Sequence, residues 1–311
     1  MNQAFFATIV LRLVQSVFVV FVVVSIVFFV SRVAGDPISY LAPPNATDAE
    51  IAALKRAEGL DRPIYRQYAE FVWDAARLDL GKSYRTGQPA VVEVRARLPK
   101  TAQLAAGALG FALLFGIPLG LTSALKRGSP IDVVVRMLAL VGQAVPNFWL
   151  GLMLILFFSV RLGWLPTGGT GGIDHLVLPS ITLGALSAAA VMRLTRSGML
   201  DVLGSDFVRT ARAKGLSERV VILRHALRHA LVPVVTLLGL LMGRLIAGAI
   251  VVETVFAWPG LGRLMINSIQ SFDYPVVQLG VIFIASAIVL TNMLVDLSYQ
   301  LIDPRIRTGA S

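Results

Sequence analysis

The chain has 311 residues, of which 56% are hydrophobic and 15% charged, with a mean hydropathy of +0.75. Water-soluble domains carry about 25% charged residues, so an ordinary soluble core is excluded. In so apolar a chain the net charge of +10 reads as basic cytoplasmic loops and not as a nucleic-acid surface, and the lack of cysteine rules out disulfides, thiolate nucleophiles and Cys-ligated metals.

In chain order, the first apolar run is Ile9 to Val30. It exceeds the roughly 7 to 15 residues of a signal-peptide core and lacks a small-x-small cleavage site, so it predicts a retained anchor. A helix crossing about 30 Å of hydrocarbon needs roughly 20 apolar residues. Five further stretches qualify: Thr101 to Leu125, Met137 to Val160, the shorter Leu176 to Met192, Leu231 to Val252, and Val276 to Tyr299. The expectation is an all-α polytopic membrane protein of about six transmembrane helices. A cytoplasmic N-terminus puts Arg12, Lys126, Arg127, Arg136, the stretch Arg193 to Arg228, and Arg305 and Arg307 inside. The C-terminus is then cytoplasmic as well.

Residues 31–100 form a long outer segment. Thr47 with Glu50 makes a capping box and Gly59 a C-cap, which predicts a helix over Asp48 to Glu58. A second helix starts at Pro63, with Ile64, Tyr68, Phe71, Val72 and Ala75 on one face. About 70 residues cannot bury a large core alone, so this lid is expected to pack on the outer ends of the membrane helices, where it could also receive an external partner. The chain divides into 1–30, 31–100 and 101–311.

Within the spans, Gly116 with Gly120 and Gly239 with Gly243 are small residues four apart that permit close helix approach. Pro118 and Pro146 should bend their helices. Trp164 and Trp258 fall at outer boundaries and read as interfacial anchors.

The inner loop at about 195–230 carries regular punctuation. Ser205 or Asp206 can cap a helix from Phe207 to Lys214, Gly215 ends it in the left-handed conformation, and Ser217 can cap a second helix with Arg219, Arg224 and Arg228. A two-helix cytoplasmic element suits insertion into another protein's cleft.

Chemical constellations dissolve on inspection. His225 and His229 have metal-ligand spacing but no acidic signature beside them, and read as part of a polar face. Gly81, Lys82 and Ser83 imitate the end of a phosphate loop, but Ala76 stands where its first glycine belongs. Neither Gly-x-Ser-x-Gly nor HExxH occurs, so no catalytic residue, cofactor or metal is expected.

The run Asp206, Phe207, Val208, Arg209, Thr210, Ala211, Arg212, Ala213, Lys214, Gly215, Leu216 closely resembles the EAA loop of permeases of ATP-binding-cassette importers, in the version typical of the peptide and nickel group. Agreeing strings are Gly35, Asp36, Pro37; YRTGQP from Tyr84 to Pro89; RLTRS from Arg193 to Ser197; ETVFAWPGLG from Glu253 to Gly262; and the tail Asp303, Pro304, Arg305, Ile306, Arg307. Where the general pattern has Glu-Ala-Ala, this chain has Arg209, Thr210 and Ala211. The resemblance implies a type I importer permease whose EAA loop is the coupling helix. It also implies its partners: a second homologous permease, two ATP-binding subunits, an external solute-binding protein and membrane lipid. Dipeptides, oligopeptides, glutathione and nickel complexes share these motifs. A stand-alone secondary transporter or channel is the alternative, and it calls for midplane charge relays and an internal repeat.

Arg244 and Glu253 are the translocation-path candidates. Arg244 lies about 20 Å up the fifth span, where an arginine facing lipid costs at least about 2.5 kcal/mol. It is therefore expected to face protein or water, either against the second permease or a broken helix, or along the path, where it would attract a carboxylate. Glu253 falls on the opposite helix face some 13 Å further along.

Overall fold

The structure, a computed structural model, describes residues 2–34, 38, 45–57 and 59–302. The strings at Gly35 to Pro37 and 303–307, and the last residue of the predicted 48–58 helix, lie outside the described residues. Two units are distinguishable: residues 1–100, 259–293 and 300–311 in one, and 101–258 and 294–299 in the other. The described residues are helical apart from turns and an antiparallel bridge between Lys82 and Pro89.

In the first unit, α1 (Asn2–Ala34) is the first apolar span, and α2 (Asp48–Ala57) and α3 (Ile64–Arg77) follow it. The capping box is formed: Thr47 N and Oγ1 donate to Glu50 Oε2 at 2.7 and 3.0 Å, and Glu50 N donates to Thr47 Oγ1 at 3.4 Å. At the other end Gly59 adopts φ +65, and its N–H and that of Leu60 return to the carbonyls of Arg56 and Lys55, the paired bonds of a glycine-terminated helix. Phe28 of α1 packs edge-on to Tyr68 and against Phe71 of α3. Ser25 and Tyr68 share a 2.6 Å hydrogen bond, and Arg32 donates to Gln67 at 2.7 and 3.1 Å. Ala75, Phe71 and Val72 thus pack on α1, whereas Ile64, expected on the same face, is exposed because it opens the helix beyond that contact.

The first part of α4 (Ala90–Leu125) packs through Ala90 and Val94 on α11 (Leu261–Gln270) and α12 (Tyr274–Ile302), burying Leu261, Leu264, Val276 and Leu279. The YRTGQP string is a tight turn. Ser83 Oγ donates to the buried Asp273 carboxylate at 2.5 Å, and Tyr84 N donates to it at 3.0 Å. The imitation phosphate loop is therefore a structural anchor for the connection between α11 and α12.

In the second unit the rest of α4 is followed by α5 (Pro130–Ala144), α6 (147–161, π-helical over Ile155–Arg161), α7 (Asp174–Leu203), α8 (Asp206–Ala213), α9 (218–230, π-helical over Val221–Ala226) and α10 (Val232–Val255). Among the described residues five helices are long and apolar enough to cross a membrane, and the α5–α6 pair makes a sixth span only if counted across a 110° break. The bend expected at Pro146 within the Met137 to Val160 span is thus present, as a break that divides the span into two helices. Proline disfavours helical geometry in the residue before it, and Val145 is extended at φ −81, ψ 125 immediately before Pro146. Pro118 interrupts nothing, since α4 runs through it.

The span that was shortest by sequence, Leu176 to Met192, is the 30-residue α7 and the most buried of the five. Its small residues depress hydropathy but let neighbours close in. A methyl on Gly120 of α4 would stand 2.5 Å from the Met192 carbonyl, and one on Gly116 2.9 Å from that of Ala188. Val191 packs with Val234 and Leu241 of α10, and Ala189 and Met192 with Val135 and Ala139 of α5. Trp258 corrects another expectation. At 2% exposure it belongs to the core with Leu104, Leu178, Leu245 and Phe256, whereas Trp164 is 69% exposed.

Candidate coupling element and polar cavity

Helix α8 is amphipathic. Val208 and Ala211 are buried against Ala124, Met199, Val221, Ala226 and Ala230, while Asp206, Phe207, Arg209, Thr210, Arg212, Ala213, Lys214, Gly215 and Leu216 are exposed. Gly215 takes φ +77, and its N–H and that of Leu216 bond to the carbonyls of Arg212 and Ala211, which closes the helix end. Across this turn Arg212 Nη2 and Nε donate to Glu218 Oε1 and Oε2 at 2.6 and 3.1 Å, tying α8 to the start of α9. That bond holds the Glu218 carboxyl below the usual carboxylate range. Asp206 pairs with Arg209 one turn along.

Caps differ from expectation in chemistry and not in place. Ser205 and Ser217 occupy the N-cap positions with extended backbones, but neither side chain accepts a capping bond, and Ser205 Oγ instead donates to the Val202 carbonyl at 2.6 Å. The His229 and Phe207 ring centroids lie 4.9 Å apart. Arg219, Arg224 and Arg228 are exposed along α9.

A buried polar cluster that joins α4, α5 and α7 was not visible in the motifs. Arg196, inside the RLTRS string, forks onto the buried Asp132 carboxylate at 2.9 and 3.0 Å, and that carboxylate also accepts from Ser123 Oγ at 2.5 Å and from Gly128 N at 3.0 Å. A local signal existed in Ser129-Pro130-Ile131-Asp132: Ser129 accepts from Asp132 N as an N-cap with proline in the first turn.

The two path candidates occupy different surroundings. Arg244 is exposed and lines a cavity of about 190 Å³ with Gln143, Asn147, Ser187 and Arg193 among its walls. Glu253 is fully buried and accepts from Thr101 Oγ1 at 2.6 Å, and it does not line that cavity. Arg193, expected in an inner loop, stands ten residues inside the end of α7.

The exposed helix-glycine-helix element between α7 and α10 can be set beside known proteins. Residues 116–308 match the family described as the binding-protein-dependent transport system inner membrane component. The chain belongs to this family. It is 42% identical over 311 aligned residues to the dipeptide transport system permease protein of Escherichia coli K12, covering 90% of this chain and 92% of that one. It is 43% identical over 298 residues to the glutathione transport system permease protein of the same strain, covering 96% of each. Among solved structures, an inward-facing conformation of the MetNI methionine ABC transporter matches with a TM-score of 0.57 at 17% identity, over 68% of this chain and 97% of that one. At that identity the likeness concerns the fold, the type I importer permease fold. This family member is therefore a multi-pass inner-membrane permease subunit of an ATP-binding-cassette importer, which displaces the stand-alone transporter or channel alternative.

Proposed function

We propose that this permease moves a peptide or a related small solute such as glutathione inward, by alternating access driven by separate ATP-binding subunits. The two relatives, at 42% and 43% identity, support this solute class. We infer that α8, its Gly215 turn and the start of α9 form the coupling helix, docking through Arg209, Thr210, Arg212, Ala213, Lys214 and Leu216. The observation that carries this is the construction of the element. It is anchored below by Val208 and Ala211, locked across the turn by Arg212 and Glu218, and exposed on the opposite face. A short rigid helix held this way can transmit closure of an ATPase dimer to the spans on either side.

A single EAA loop per chain favours assembly with a second homologous permease and two ATP-binding subunits, supplied by an external solute-binding protein. Both termini and α8 are then cytoplasmic, and residues 31–100 form the outer lid. The test is purification from native membrane through a tag on this chain, followed by reconstitution. ATP-binding subunits and a second permease should accompany it, and uptake should require ATP. Uptake by the chain alone without any ATPase would refute the reading.

A further inference from the structure

The cavity at Arg244 has a composition that the coupling mechanism does not use. Arg193 on α7 and Arg244 on α10 both line it, together with the amides of Gln143 and Asn147 and the hydroxyl of Ser187. The helices run antiparallel there: Gly198 lies against Ala230, Val191 packs with Leu241, and Gly248 is nearest Leu183. Arg193 is ten residues from the end of α7 and Arg244 twelve from the start of α10, so each stands about 15 to 18 Å inside its helix. Neither guanidinium makes an ion pair with a carboxylate among the described residues, and Asp132, the buried carboxylate of α5, is held by Arg196.

Two uncompensated cations inside membrane-spanning helices are costly unless an anion or water meets them. Arginine presents a planar fork that matches a carboxylate, and amide N–H groups complete its remaining lone pairs. The break before Pro146 brings Asn147, the first residue of α6, to the same wall, so the positive end of that helix adds to the field. At about 190 Å³ the cavity is smaller than the roughly 300 to 1,000 Å³ of pockets that enclose a whole ligand, so it suits a terminal group.

We propose that Arg193 and Arg244 form a transit site for the carboxylate of the transported solute, oriented by Gln143 and Asn147. This rests on the importer reading above and adds a substrate chemistry to it: the permease itself selects solutes with a free carboxylate.

The test uses the complex captured through this chain and reconstituted in phosphatidylcholine vesicles containing phosphatidylglycerol. Equilibrium binding of radiolabelled alanyl-alanine and of glutathione is measured by competition with each solute and with its carboxamide. At least one of the two should be preferred tenfold or more over its amide. Arg244→Gln and Arg193→Gln should each cut that preference below threefold, and Arg244→Lys should retain part of it. Subunit ratios are read in the same preparations.

An undiminished preference in both glutamine variants would overturn the proposal. So would a wild-type complex that carries its ATP-binding subunits yet binds neither probe. Loss of the second permease from the variants would make these arginines a subunit contact. Phosphatidylglycerol retained by wild type alone would assign the cavity to a lipid phosphate. Absence of ATP-binding subunits from the preparation would count against the importer reading instead.

Discussion

Gly215 offers a perturbation whose energy can be worked from geometry. Its φ of +77 lies in the left-handed region, and a methyl built on it would meet nothing within 4 Å. Substitution therefore adds no clash, and the whole effect is conformational. An L-residue in that region costs about 1–2 kcal/mol, a factor of about 5–30 in the ratio of the turn to any relaxed alternative. Asparagine tolerates the region and should lose least; valine, β-branched, should lose most. Solute-stimulated ATP hydrolysis and uptake in reconstituted vesicles should fall in the order Gly215, Asn, Ala, Val while insertion into the membrane stays normal. If Gly215→Val matched wild type in both assays, or if Asn were as damaging as Val, the rigid-turn argument would be refuted.

Three further outcomes are expected. Gly120→Val should lower thermal stability by about 1–3 kcal/mol through overpacking against the Met192 carbonyl, whereas Gly110→Ala, with nothing within 4 Å, should be neutral; thermal denaturation in detergent compares them. Thr101→Val should cost about 1–3 kcal/mol by removing a donor from the buried Glu253, read by the same assay, and Thr101→Ser should recover most of it. The Arg212–Glu218 tie should be fully present above the ordinary glutamate pKa of about 4.3 and be lost as pH falls through the lowered pKa of Glu218. Nitroxide labels at positions 214 and 219 should then broaden in separation in acid, and Glu218→Gln should show the broad distribution at every pH.

Features carried by neighbouring residues were legible in the sequence. The Thr47–Glu50 box, the glycine stops at 59 and 215 and the helix from 206 depend on residues a few positions apart. The burial of Trp258 and the bonds Ser83–Asp273 and Asp132–Arg196, which join residues 190 and 64 positions apart, depend on tertiary packing that periodicity does not encode. Span counting failed at α7. Hydropathy understated α7 because its alanines, serines and glycines trade apolar area for close approach, and because Arg193 and Arg196 interrupt its apolar run. The break between α5 and α6 was legible in Pro146, whereas its 110° size, with Val145 extended, was not. Arg244 was singled out by its depth alone; its companions at 143, 147, 187 and 193 come from three helices, and no spacing rule links them.

Because the chain contains no cysteine, single cysteines can map the docking face directly. The decisive measurement is photo-crosslinking from a maleimide-benzophenone at Ala213→Cys or Leu216→Cys, both exposed, within the assembled complex, with the exposed Tyr65→Cys, in the proposed outer segment, as reference. The prediction is a product joining this chain to an ATP-binding subunit from 213 and 216 and none from 65. Crosslinks to the ATP-binding subunit from 65, or their absence from both 213 and 216 in an ATP-hydrolysing complex, would contradict the assignment of α8 as the coupling helix.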